Sequence, residues 1–153
     1  MAEINSAQAV LVAANQKINH YDRGRVRTAI VTTPAIFAQL NIADTIASAQ
    51  IIPKGSRIIG CRIGNGTGTA LCTIAVGLRK TDAAKTIVSA TAIAIQTAIA
   101  TATTVPTVAN NGTLIAAGVD AVTAEDDEIY LTVAGAVLAA NQDVRVEVDY
   151  VEN

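Results

Sequence analysis

The sequence predicts a mainly β protein, because its apolar bulk is small or β-branched and because polar and apolar residues alternate along several stretches. Hydrophobic residues make up 51% of the 153-residue chain, whereas aromatic residues make up 3% and charged residues 16%. Alanine, threonine, valine and isoleucine therefore dominate, and the β-branched members of this set favour strands. A chain of this length and hydrophobicity can bury a core as one domain and is too apolar to be disordered.

The clearest alternation lies near the C-terminus, where apolar side chains recur at every second position. In DVRVEVDYVEN, at 143–153, three valines and Tyr150 share one face and charged residues share the other. The stretch EIYLTVAG, at 128–135, repeats this pattern, with Tyr130 and Thr132 on the outward face. A period of two predicts strands with one buried face. Because turn residues lie between them at 139–142, we expect these strands to form a hairpin or near-hairpin.

Upstream, strands are expected at 25–33 and 36–43, divided by Pro34, which cannot donate to a sheet ladder. The sequence Pro53-Lys54-Gly55-Ser56 predicts a tight turn, since proline presets φ and glycine accepts positive φ. A strand at 57–63 follows the turn. Another is expected at 70–78, with alternate residues from Cys72 to Leu78 on one face.

The middle of the chain allows two interpretations. Isoleucine and threonine at alternate positions of 93–99 fit a strand, but isoleucine spacing over 87–99 and the many alanines also fit a helix. Threonine content favours a strand, with a short helical turn at 82–88. The sequence Asn110-Asn111-Gly112 predicts a turn before Leu114 and Ile115. Residues 1–24 form a predicted arm with a short helix at 6–15, capped by Ser6, and residues 25–153 form the β domain.

The loop GNGTGTA, at 64–70, raises the possibility of a phosphate site. A phosphate loop runs from a strand into a helix and usually ends in Gly-Lys-Ser/Thr. Here the loop joins two predicted strands and lacks that ending, so a hairpin with glycines at positive φ is expected instead. If Ile63 pairs with Ala70, Cys61 faces Cys72. Two reduced core thiols are the first interpretation of this pair, and a cross-strand disulfide is the alternative.

No residue pattern in the sequence predicts catalysis or a cofactor. His20, the single histidine, lies among polar residues, and two cysteines and one histidine match no zinc pattern. The acidic run at 125–128 lacks the spaced ligands of a calcium loop and predicts a solvated turn. Alternating arginines at 23, 25 and 27 lack the aromatic residues typical of nucleic-acid binding. We therefore expect no enzyme, no cofactor, no metal and no nucleic-acid partner.

Charge is divided unevenly along the chain. Residues 1–119 carry ten basic and four acidic side chains, whereas residues 120–153 carry one basic and nine acidic ones. The two parts can neutralise each other within one subunit, or opposite charges can meet between neighbouring copies. The sequence has no apolar run long enough to span a bilayer and no signal-peptide pattern at its N-terminus. We expect no membrane partner and synthesis in the cytoplasm.

The order of several motifs resembles a known family. These motifs are YDRGRVRTAIVTT at 21–33, IIPKGSRIIGCRI at 51–63, GTALCTIAVGL at 68–78, and TAEDDEIYLTVAGAVLAANQDVRVEVDYV at 123–151. Together they resemble the decoration (cement) proteins of tailed-bacteriophage capsids, which are small β-sandwich or jelly-roll virion proteins. The resemblance covers about 21–151, and the apolar stretch at 87–108 departs from it.

The resemblance implies an antiparallel, jelly-roll-like β-sandwich with an extended N-terminal arm. It further implies a structural protein that stabilises a capsid by binding the major capsid protein, forms a homotrimer, is located in the virion and is made in the bacterial host cytoplasm. On this basis the expected interface residues lie in and beside the arm; they are Gln16, Lys17, His20, Tyr21, Arg23, Arg25 and Arg27. Other interpretations are a head-fibre, tail-fibre or neck component, or a non-viral binding module.

Overall fold

The computed structural model describes residues 25–118 and 121–152, and eight strands form two antiparallel sheets within them. The strands are β1 (Val26–Thr32), β2 (Thr45–Ile52), β3 (Arg57–Asn65), β4 (Thr73–Lys80), β5 (Ile87–Ala98), β6 (Thr107–Val108), β7 (Asp127–Ala134) and β8 (Val144–Val151). A single-turn helix, α1 (Thr113–Ala116), precedes β7. In the described ranges no helix has the length and apolar character needed to cross a bilayer. The predicted arm and its helix at 6–15 lie outside the described residues.

The strand order is that of a jelly roll. Sheet I has the order β1-β8-β3-β6 and sheet II the order β2-β7-β4-β5. Strands that are equally far from the two ends of the strand sequence are therefore neighbours. These pairs are β1 with β8, β2 with β7, β3 with β6, and β4 with β5. Such an order results when one long antiparallel hairpin rolls up into two packed sheets. The predicted antiparallel, jelly-roll-like β-sandwich is confirmed.

The core lies between the two sheets and is made of the alternating apolar residues predicted from the sequence. On β8, Val144, Val146 and Val148 are fully buried, and Tyr150 is almost so. On the facing sheet, alternate residues of β4 and β7 fill the same space; they are Ile74, Val76, Leu78, Ile129, Leu131 and Val133. The turn at Pro53–Ser56 is also confirmed, since Ser56 N–H donates to the Pro53 carbonyl and Gly55 has a φ of 79°.

Both predicted hairpins are wrong, because the connections cross between sheets. The loop at 66–72 carries the chain from β3 in sheet I to β4 in sheet II, and 135–143 carries it from β7 in sheet II to β8 in sheet I. Cys61 accordingly lies opposite Val148, and Cys72 precedes a strand of the other sheet. The two cysteines are buried free thiols. Gly64, Gly66 and Gly68 also lack the predicted positive φ.

Two other predictions are wrong, one at each end of the sandwich. The expected strand at 36–43 is a connection that makes one isolated bridge, between Leu40 and Leu138, whereas the next segment forms β2, which was missed. The 82–88 segment is a turn leading into β5 without helix. In the middle of the chain the strand interpretation is correct. The pairing of β5 with β4 shifts register at several points, so Ala92, Ile93 and Ala94 are buried consecutively and blur the period of two.

The uneven charge along the chain is neutralised within the subunit. Because β8 lies between β1 and β3, and β7 lies between β2 and β4, the acidic C-terminal strands are flanked by the more basic part of the chain. Among the described residues, six of the seven ion pairs join a basic residue before position 120 to an acidic residue after it. The intramolecular alternative from the sequence is therefore confirmed.

Candidate docking surface

One end of the sandwich is formed by four connections that all cross between the sheets. These are residues 33–44, 66–72, 99–106 and 135–143, which we call the loop platform. Strand register places them together: Thr32 lies opposite Arg145, Ile63 opposite Thr107, and Thr73 opposite both Ala134 and Ala98. The crossings follow directly from the jelly-roll order, so the fold itself gathers four separate pieces of sequence into one surface.

Hydrogen bonds from side-chain amides hold the loops of the platform to one another. The Asn65 amide donates to the carbonyls of Gly66 (2.8 Å), Ile99 (2.9 Å) and Thr101 (2.8 Å). The Gln142 amide donates to Ile99 (2.8 Å) and Gly66 (3.3 Å). Both side chains are buried. Buried amides that satisfy several loop carbonyls at once fix the relative position of those loops.

Two further contacts complete the platform. Leu40 and Leu138 exchange backbone hydrogen bonds of 3.1 and 2.9 Å, and the Phe37 N–H donates to the Asn141 side chain (2.8 Å). Gly68 lies so close to the Gln142 amide that a Cβ there would overlap it. Gly68, one of three glycines in the 64–70 loop, therefore packs closely against Gln142, and the loop crosses between the sheets instead of forming the expected hairpin.

The platform exposes large aliphatic side chains from three of its four connections. Ile36 is 86% exposed, Leu71 80% and Val105 75%. Leu71 also has a φ of 66°, a conformation that costs a bulky residue energy and is more common at functional sites than elsewhere. Only Asp44 and Asp143 carry charge in the four connections. A rigid, charge-poor surface with exposed aliphatic residues is typical of a protein–protein contact.

The opposite end of the sandwich is charged and includes an ion cluster around one buried carboxylate. Glu128 on β7 accepts from Arg79 (2.9 and 3.3 Å), from Lys85 (2.7 Å) and from the Ala49 N–H (3.2 Å). The hydrogen bonds from Arg79, together with those from Lys85 and Ala49, outweigh the effect of burial and lower the pKa of Glu128 to about 2. Arg79 also lies over the ring of Tyr130, 5.5 Å from its centre. We call Glu128, Arg79 and Lys85 the Glu128 cluster.

The predicted solvated turn at 125–128 is therefore wrong in its second half. Glu125 and Asp126 are exposed, whereas Asp127 and Glu128 belong to β7 and are buried. Burial, reinforced by the nearby Glu125 carboxylate, raises the pKa of Asp127. Tyr130 points outward from its sheet as predicted but is only 1% exposed. Alternation alone could not show that the outer face is covered here.

Most of the interface residues expected from the sequence lie outside the described residues; these are Gln16, Lys17, His20, Tyr21 and Arg23. Arg25 directly precedes β1 and is exposed. Arg27 lies within β1, is also exposed, and pairs with Glu152 at 2.8 Å. Both arginines are at the end opposite the loop platform. Sequence analysis missed the platform residues because loops have no periodic pattern of polar and apolar residues. The one available signal was the absence of charged residues from 66–72 and 99–106.

The described residues offer no arrangement typical of a metal site or a reactive thiol. Across 25–118 and 121–152, no group of three or more histidine, cysteine, aspartate or glutamate side chains could hold a metal. Burial, with a smaller contribution from Asp149 that Arg62 partly offsets, raises the pKa of Cys61 to about 12. Burial also raises the pKa of Cys72. A nucleophilic cysteine needs a lowered pKa, so neither thiol suits that role.

Two solved bacteriophage structures contain chains with this fold. A chain of the capsid of Ralstonia phage GP4 superposes with a TM-score of 0.64 at 15% identity, over 85% of this chain and 86% of that one. A chain in the capsid asymmetric unit of cyanophage Pam1 gives a TM-score of 0.57 at 22% identity, with full coverage of both chains. No protein-family model and no curated protein matches the sequence. At these identities the likeness shows a shared jelly-roll fold.

Proposed function

We propose that this protein is a non-enzymatic structural component of a bacteriophage virion that decorates the assembled capsid. In this proposal it binds the major capsid protein through the loop platform. The observation that carries the proposal is the platform itself, on which Ile36, Leu71 and Val105 are exposed over a rigid and charge-poor base. Burying one such side chain is worth about 1.5–3 kcal/mol. Supporting evidence is the fold shared with two chains from phage capsids.

The arm and the trimer expected from the sequence belong to the same proposal. Residues 1–24 would add a second contact with the shell, and three copies would meet at a local symmetry axis. Arg25 places the start of the described chain at the end opposite the platform. The proposed arm therefore begins at the end of the sandwich that does not carry the platform.

A binding experiment with particles tests the role of the platform. Particles produced without this chain are mixed with purified protein, pelleted, and the bound fraction is measured against protein concentration. Leu71→Asp introduces a charge at the most sharply constrained platform residue, and aspartate tolerates positive φ better than leucine. We expect binding to weaken by about 10-fold to 100-fold, which corresponds to the burial of one leucine.

The matched control is Ile87→Asp, which changes an aliphatic residue that is also exposed but begins β5 at the opposite end. This variant should bind like the wild type. Equal binding by all three proteins would contradict docking through the platform. Failure of the wild type to bind the particles at any concentration would contradict the decoration function.

A further inference from the structure

The four edge strands of the sandwich differ in how they are protected from pairing with another chain. Natural sheets protect their edges with short strands, bulges or covering segments. In sheet I, β6 has only two residues. In sheet II, β2 is interrupted by a register shift between Ala47 and Ile51. The edge of β5 is covered, since Asn111 accepts from the Ile95 N–H (3.0 Å) and the Gly112 N–H donates to Ile93 (3.1 Å).

The remaining edge, that of β1, has none of these protections within the described ranges. It pairs with β8 in unbroken register over all seven residues from Val26 to Thr32. The Thr33 N–H donates to the Val144 carbonyl (3.0 Å). Because hydrogen-bonded pairs alternate along an antiparallel ladder, the odd-numbered residues of β1 are the ones that bond to β8. The backbone groups of the even-numbered residues therefore point away from β8. No strand formed by residues 25–118 or 121–152 lies beyond them.

We propose that the β1 edge binds a second copy of this chain by antiparallel pairing of β1 with β1, which joins two copies of sheet I. The strand is complementary to itself. Pairing centred on Ala29 sets Val26 opposite Thr32 and Thr28 opposite Ile30, so that β-branched residues meet on the outer face, where such pairs favour sheet formation. Arg27 is the only charged residue of β1. It lies opposite Val31 in this register, and no like charges meet.

Self-complementarity favours a second copy over an unrelated strand, and no unpaired acidic group beside β1 opposes its approach. Asp149 accepts from Thr28 (2.5 Å) and pairs with Arg62 (2.9 Å), and Glu147 pairs with Arg62 and Arg145. This inference does not rest on the proposed function. Pairing of one strand with its own copy is twofold, so this dimer is an alternative to the proposed trimer, and the mass in solution decides between them.

Light scattering on a sizing column, with the full chain over a range of concentrations, tests the inference. We expect a species of twice the 15.7 kDa chain mass. Ile30→Lys places a charge at the paired edge and should weaken dimerisation by about tenfold or more. Because Ile30 lies opposite Glu147 on the exposed face, this lysine has an acidic neighbour and the fold should be retained. Ile30→Pro removes an N–H that points away from β8 and should have the same effect on dimerisation.

The matched control is Val108→Lys, on the opposite edge of sheet I. Val108 is aligned with Ile30 across the sheet, because Ile30 lies opposite Glu147, Glu147 opposite Arg62, and Arg62 opposite Val108. This variant should dimerise like the wild type. Three results would overturn the inference: a monomer at every concentration, a species of three times the chain mass, or a dimer that neither Ile30 variant weakens. A monomer would indicate that the edge is unused or is covered by residues 1–24 of the same chain. Particle binding can succeed or fail independently of each result.

Discussion

Replacing Glu128 with glutamine removes the charge at the centre of the Glu128 cluster while keeping the size of the side chain. The carboxylate is 5% exposed and contacts Arg79 at 2.9 Å and Lys85 at 2.7 Å. The variant leaves the 13% exposed Arg79 side chain without its counter-charge. Loss of one partner of a buried pair typically costs about 3–5 kcal/mol. Because Lys85 is partly solvated, we expect the lower end of that range at neutral pH.

The lowered pKa of Glu128 corresponds to a stabilisation of similar size, because it results from the same contacts. The folded protein lowers this pKa from 4.5 to about 2, and one pKa unit corresponds to about 1.4 kcal/mol. The cluster therefore contributes about 3 kcal/mol to the free energy of unfolding. Since the folded pKa is lowered, this contribution is complete above pH 4.5 and is lost as the pH falls towards 2.

Urea unfolding of the wild type and of Glu128→Gln, followed by circular dichroism from pH 7 to pH 2, measures this contribution. Other carboxyl groups titrate in both proteins, so the difference between the two curves isolates Glu128. We expect the variant to be less stable by about 3 kcal/mol at pH 7 and the two proteins to converge near pH 2. A constant difference over the whole pH range would refute the electrostatic explanation, and no difference at pH 7 would refute the cluster's role in stability.

Three further measurements test other parts of the structure. A Cβ at Gly112 would overlap the Ile93 carbonyl group, so Gly112→Ala should lower the unfolding free energy by about 1–3 kcal/mol; Gly60→Ala, whose Cβ would have ordinary 3.7 Å contacts, should cost less. Because burial raises the pKa of Asp127, its ionisation disfavours folding as the pH rises, and Asp127→Asn should be more stable than the wild type at pH 7 but not at pH 3. Native protein at pH 8 should resist alkylation at Cys61, because burial raises the pKa of this thiol, whereas denatured, unreduced protein should label two thiols. Rapid labelling of Cys61 in the native protein, or fewer than two thiols after denaturation, would contradict the buried free thiols.

The sequence predicted strands best where a strand has one buried and one solvated face. Alternation correctly placed the inward valines of β8 and the inward residues of β4 and β7. The same rule failed for β2, whose TIASAQII sequence is mostly exposed and interrupted by a bulge. It was ambiguous for β5 because register shifts bury three consecutive residues. Bulges depend on neighbouring strands, which no local pattern reveals.

Strand partners were harder to predict than strands. Short connections at 66–72 and 135–143 favoured hairpins, yet both cross between sheets because each strand pairs with one distant in sequence. The uneven charge was the one sequence signal of this long-range order, since the acidic β7 and β8 insert between more basic strands. The loop platform could not be predicted, because its four connections become neighbours only after the sheet rolls up.

The most direct test of the proposed function is the number of copies of this chain per particle. Under the proposed function a phage encodes this chain, and quantitative mass spectrometry of its purified virions would give the ratio of this chain to the major capsid protein. Decoration predicts a ratio that corresponds to hundreds of copies per particle. Tens of copies or fewer would indicate a fibre or neck component, and absence from the particles would contradict a virion role altogether.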